Sequence, residues 1–375
     1  MQQPPIMRID DAWTTLDGRL ARCSRGAFLC LATAVAIVVT LTVFAPRLQL
    51  WDLHLTQPFE TARAHSFLAQ CEAPFRTDVE PAMEWRLLPP LICHWLGLRG
   101  WEALALPWLG AVALVAACAG VLDTGPEARG RALLGTVLAA TSSALLVPLG
   151  WLGLNDAWVW LALLATAFAR RRSWMALACL LGPWVDERFL LGLPLALWVR
   201  RQEQPRDPDW LAVSGVLPYI AVRLASMMFA GESTSAGFLA SQLSGSLTWL
   251  PYAPLGWWMA WRVGWLPLVA AGWELWIRSP STARNGLVLA SLTLGLNALL
   301  ASDLSRSAAI LLPAVIWAWL RWSPAVAGPR VACLVLAQLV MPAVHVVYVK
   351  IALISPLPLE LFRLIRHLSA GEPGP

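Results

Sequence analysis

Residues 26–45 read GAFLCLATAVAIVVTLTVFA, a run with no charged side chain, no Asn or Gln and no proline. A helix rises about 1.5 Å per residue, so this run covers the roughly 30 Å hydrocarbon core of a bilayer. A segment in lipid must satisfy its own backbone hydrogen bonds, which leaves helices or a closed barrel. Continuous apolar sequence, rather than short alternating strands, selects the helix.

Similar runs recur along the 375 residues, at about 101–122, 132–150, 156–169, 173–184, 189–199, 210–230, 254–276, 285–301, 307–320 and 331–349. Four of them are shorter than 15 residues and fit oblique or half-buried helices. Hydrophobic residues make up 58% of the chain and charged residues 14%, against roughly 45–50% and 25% in soluble domains. The expected fold is an all-α, polytopic bundle with about eleven crossings.

Arginines orient it. With residues 1–25 as a cytoplasmic tail, Arg129, Arg131, Arg170, Arg171, Arg172, Arg200, Arg201, Arg206, Arg278, Arg284, Arg321 and Arg330 all fall on the inner side. The short outer turns then hold only Arg188 and Arg306, as the positive-inside bias requires. The bundle spans 26–349, with a long first outer loop at 46–100 and a C-terminal tail at 350–375. In that loop, Thr56–Gln57–Pro58 reads as a helix start for Phe59–Cys71. The stretch 87–98 stays outside or dips in and returns. The whole describes a multi-pass protein of a bacterial-type inner membrane.

Charges at membrane depth are costly, so each needs a role. On this orientation Asp52, Arg86, Asp156, Asp186, Glu187, Arg188, Asp303 and Arg306 collect at the outer face. Asp156, Asp186 and Asp303 stand where helix N-caps belong. Asp52, directly after the first crossing, is either a solvated loop aspartate or a general base toward an acceptor hydroxyl. Arg223 and Arg262 sit inside crossings, as partners of carboxylates or as snorkelling side chains. Trp249, Trp257, Trp258, Trp261 and Trp265 gather near one outer turn, as an interfacial belt or as stacking surfaces for sugar rings. Cys71 and Cys93 both lie in the first loop and are close enough in kind to pair, though nothing in the sequence requires it.

Other chemistries are missing their motifs. No HExxH, GxSxG or Walker A sequence occurs. His54 and His65 have no zinc spacing, and no ligand set for a divalent metal stands out. No basic block interleaved with aromatics marks a nucleic-acid surface. The partners to expect are membrane lipids.

The placement of Asp52 after Trp51, of Arg86–Leu87–Leu88–Pro89–Pro90 before the next apolar stretch, of Asn155–Asp156 before a short helix ending at Arg170–Arg171–Arg172, and of Asp186–Glu187–Arg188–Phe189–Leu190–Leu191 resembles the GT-C superfamily of integral membrane glycosyltransferases. That resemblance implies sugar transfer from a polyprenyl-phosphate donor to an acceptor at the outer face. It implies Asp52 as the acceptor-activating base and Arg86, Arg188 or Arg306 as the clamp on the donor phosphate, since guanidinium matches phosphate geometry. The family's paired acidic motif is absent, because Leu53 and His54 follow Asp52. Two other classes remain open: a transporter or lipid flippase lined by Arg223, Arg262 and Asp186, and a non-catalytic membrane scaffold.

Overall fold

The computed structural model describes residues 9–48, 62–76, 78–79, 83–204, 210–229 and 234–370. It is built almost wholly of helices, and four of these are long and apolar enough to cross a membrane: Arg25–Val43, Gly100–Leu122, Pro280–Leu300 and Leu304–Ala325. A fifth span arises if Pro126–Ala140 and Ser143–Gly150, bent by 52° at their junction, count together. Shorter apolar helices, Asp156–Phe168, Trp210–Ser226 and Gly328–Val340, fill in between them. The chain is a membrane-embedded helical protein.

The helix Arg25–Val43 starts at Ser24, whose side chain accepts the Ala27 N–H at 3.3 Å. Only 22% of its apolar window is buried within the protein, which leaves Val38 and its neighbours facing outward. Leu304–Ala325 is the opposite case, 72% buried and central. Helices Asp156–Phe168, Arg172–Val185 and Arg188–Glu203 pack against one another in succession, with Trp160, Leu163 and Phe189 fully buried between them. Gly135 lets Trp319 lie flat on the bent helix pair: a Cβ there would meet the indole at 2.4 Å. The Trp319 N–H donates to the Arg131 carbonyl at 3.1 Å.

Arginines finish several helices. Arg129 donates to the Leu20 and Ala21 carbonyls at 3.2 and 3.4 Å, closing the helix Ile9–Ala21. Buried Arg200 donates to Thr166 and Ala169 at 3.3 and 2.8 Å, closing Asp156–Phe168. These carbonyls have no intrahelical donor and sit at the negative end of the dipole, so a guanidinium suits them.

The structure adds a helix, Ile9–Ala21, within the expected N-terminal tail 1–25, and it changes one expected helix. The apolar run 331–349 is not one helix: Gly328–Val340 ends, and the chain turns into an antiparallel hairpin of Ala343–Val347 and Lys350–Ile354. Pro342 is the cause, since it drives Met341 out of the helical region to φ −68° and ψ 129°. The β-branched run Val344–His345–Val346–Val347 then favours a strand. The expected tail at 350–375 holds the second strand and a helix, Leu357–Ala370. In the first loop, the helix expected over Phe59–Cys71 is described as Ala62–Glu72, and its proposed start lies outside the described residues.

Candidate functional site

The helices Asp156–Phe168 and Arg188–Glu203 begin, and Arg172–Val185 and Pro280–Leu300 end, at the same end of the bundle. Connectivity therefore puts Asp156, Asp186, Arg188 and the turn Asp303–Arg306 at one end, and helix packing brings them together. Gly256 fixes the last of these, because a Cβ on it would meet Leu304 Cβ at 2.5 Å. Ser143 holds the same turn from another helix, donating to the Ser305 carbonyl at 2.6 Å.

The charges form one continuous network. Arg188 pairs with Asp186 through Nε–Oδ1 at 2.9 Å and Nη2–Oδ2 at 2.6 Å, and also with Asp156. Its Nη1 donates to Ser307 Oγ at 3.5 Å, and its guanidinium lies over the Trp160 ring at 5.4 Å. Arg306 reaches Asp303 at 2.8 Å and Asp156 at 3.5 Å. Arg86 comes in from the first loop and meets Asp186 at 3.1 Å and Glu187 at 3.7 Å. His345, on the hairpin, completes it: Nε2 lies 2.8 Å from Asp303 Oδ1, with the Trp151 ring at 4.5 Å.

All but Glu187 among the acids are nearly closed to solvent, with Glu187 43% exposed. Burying charges costs several kcal/mol each unless partners return it, which is why they interlock here. The capping roles divide. Asp303 caps its helix, accepting the Arg306 N–H at 3.4 Å. Asp186 accepts the Arg188 N–H at 2.9 Å, which is a cap's work from one residue further back. Asp156 makes no such bond; it stands in the first turn and serves Arg188 and Arg306.

A second group sits beside the network. Trp85 Nε1, Arg86 Nε, Tyr219 OH and Arg223 Nη1 are all buried without a hydrogen-bond partner. Arg223 lies over the Trp85 ring at 4.4 Å. Tyr219 packs on Trp184 at 5.0 Å and feels the charges of Glu187, Arg223, Asp186 and Arg86. Arg223 therefore stacks on an indole, where a carboxylate partner or snorkelling was expected.

Arg262 also departs from expectation. It is fully buried with φ 48°, lies over the Phe44 ring at 4.5 Å, and donates to the carbonyls of Thr141 and, at 3.0 Å, Met341. Those carbonyls end two helices, so Arg262 is a double C-terminal cap and not part of the charge network. The five tryptophans are mainly packing: Trp249 donates to Ala298 at 2.8 Å, Trp261 to Ala308 at 3.0 Å and Trp265 to Trp257 at 3.0 Å. Trp258 is left partly exposed.

Of the residues singled out in the sequence, Arg86, Asp156, Asp186, Glu187, Arg188, Asp303 and Arg306 converge; Asp52 lies outside the described residues. Sequence reading missed His345, hidden inside an apolar run, and Trp85 and Tyr219, which carry no charge to draw notice. No cluster of three or more His, Cys, Asp or Glu suited to a metal occurs among the described residues. Compared with known proteins, the chain matches no family model, no curated protein and no solved structure.

Proposed function

We propose that this protein is a membrane glycosyltransferase that moves a sugar from a polyprenyl-phosphate donor to an acceptor at the outer face. The reading keeps the N-terminus in the cytoplasm, about eleven crossings and a GT-C-like arrangement in a bacterial-type inner membrane. One observation carries it: four buried hydrogen-bond donors without an acceptor, two of them on guanidinium groups, gather in one corner beside a network of ion pairs, in which Arg306 Nε and His345 Nδ1 are also left without a hydrogen bond. Buried donors without partners are expensive. A phosphate supplies several strong acceptor oxygens and negative charge, and so answers both deficits.

Within this reading the clamp is Arg86 with Arg223, Trp85 and Tyr219. Arg188 and Arg306 are positioning residues, because carboxylates already occupy them. Asp52 keeps the role of base: it takes the acceptor hydroxyl's proton as that oxygen attacks the anomeric carbon. The bond from that carbon to the phosphate oxygen breaks, and the departing phosphate carries its electron pair into the arginine corner.

The test is transfer by purified protein in liposomes from a panel of polyprenyl-phosphate sugars. Wild type should transfer, Asp52→Asn should bind donor without turnover, and Arg86→Ala should lose donor binding. Absence of transfer and of donor binding in well-folded wild type would reject the reading in favour of a scaffold held together by its ion pairs.

A further inference from the structure

The helices Ala62–Glu72 and Leu88–Leu96 pack together around a small core of their own. Cys71 and Cys93 lie in that core, and neither side chain reaches solvent. The His94 ring holds the two helices in register there, with Nδ1 donating to the Cys71 carbonyl at 3.1 Å. Both thiols belong to this one buried core, and the Cys71 backbone lies against the residue that follows Cys93. Cys93 also touches the Ala103 carbonyl at 3.9 Å.

We propose that Cys71 and Cys93 form a disulfide that closes the loop carrying Trp85 and Arg86. The proposal rests on the reading that places this loop outside the cell, where disulfides persist. Thiolates are the attacking species, and before the two helices dock both cysteines are open to an oxidant.

The oxidant is a protein disulfide carrier. One of the two cysteines attacks one carrier sulfur and expels the other as a thiolate, giving a mixed disulfide. The second cysteine then attacks the sulfur of the first and releases the second carrier thiolate. Two protons and two electrons leave the cysteines and reduce the carrier to a dithiol. Since both side chains are closed off in the folded protein, the exchange belongs to the stage before the two helices dock.

The bond would hold a segment that is otherwise tied back by side chains. Gln70 donates to the Met83 carbonyl at 3.0 Å, two residues before Trp85. Arg76 grips Asp78 through two contacts of 2.6 Å on the exposed side of the loop. A covalent closure limits how far the unfolded loop can wander, and so favours the arrangement that presents Trp85 and Arg86.

Full-length protein, purified without reductant, is denatured in N-ethylmaleimide, digested and mapped by mass spectrometry. The expected result is a Cys71 peptide joined to a Cys93 peptide, separated by reduction, with neither thiol alkylated. Full alkylation of both overturns the proposal. A parallel arm labels Phe75→Cys in intact cells with a membrane-impermeant maleimide, against wild type as background. Labelling from outside supports the placement; labelling only after permeabilisation overturns the placement, and the disulfide with it. Reduction should lower the thermal transition of the wild type by about 5 °C and leave Cys71→Ser/Cys93→Ser unmoved. An unchanged transition in reduced wild type overturns the claim that the bond holds the loop. Neither arm reads sugar transfer, so a linked pair in a protein without transfer would reject only the transferase reading.

Discussion

The network around Arg188 and the corner around Arg223 lie side by side and obey opposite arithmetic. In the first, Asp156, Asp186 and Asp303 answer Arg188 and Arg306, and His345 and Ser307 join them, leaving Arg306 Nε and His345 Nδ1 without a hydrogen bond. In the second, Trp85 Nε1, Arg86 Nε, Tyr219 OH and Arg223 Nη1 all offer protons that nothing takes, although Arg86 also pairs with Asp186. A buried arginine is therefore no guide to function by itself. Arg200 and Arg262 make the same point, since each is buried and each ends helices through backbone carbonyls. What separates a structural arginine from a ligand-binding one is whether the protein has already supplied its acceptors.

The contrast breaks most directly at Arg188. Arg188→Ala would strand Asp156 and Asp186 without their main counter-charge, and such one-sided losses cost about 3–5 kcal/mol. Denaturant titration in detergent should show that loss, along with poor yield. A variant of wild-type stability would mean that the network is not the structural half of the comparison. Arg262→Met should come next, at about 2 kcal/mol, because it frees the Thr141 and Met341 carbonyls in a dry interior. Its donor affinity should not change, as measured by binding of a polyprenyl phosphate to the folded fraction.

How much of this was readable beforehand follows from the physics of each signal. Apolar length shows directly in sequence, so helices such as Arg25–Val43 and Gly100–Leu122 stood out. Runs broken by one residue did not: Met341–Pro342 stops a helix inside a continuous apolar stretch, and the strand behind it carries His345 to Asp303. The charges of the network could be gathered because most sit at helix junctions, and alternating helices return to the same end of the bundle. Their pairing could not, since Asp156 looks like a cap in sequence and only the fold shows it facing Arg188 and Arg306. Arg262 was harder still. Its partners are carbonyls, which every residue carries, so no side-chain pattern marks them.

Arg86 tests the other half of the comparison. It holds Asp186 at 3.1 Å while keeping Nε unpaired, so Arg86→Ala should cost some stability and much binding. Charge-assisted hydrogen bonds contribute about 1.5–3 kcal/mol, which sets the expected loss of donor affinity at roughly ten- to a hundredfold. Affinity unchanged in a folded variant would remove Arg86 from the clamp and leave it as one more counter-ion of Asp186.

Tyr219→Phe gives the smallest change and the sharpest separation. The Tyr219 hydroxyl is buried and unpaired, so deleting it removes a desolvated polar group and leaves the ring against Trp184. Stability should hold or rise by about 0.5–1 kcal/mol, the reverse of what a structural hydroxyl would give. If a phosphate oxygen is the missing acceptor, the same substitution should weaken donor binding several-fold. The two readings then move in opposite directions in one protein. A destabilised Tyr219→Phe with intact binding would show that the hydroxyl has a structural partner and that the corner is not a site. A stable variant that binds donor less well would mean the unmet donors of this corner were kept for a ligand, at a small cost to the fold.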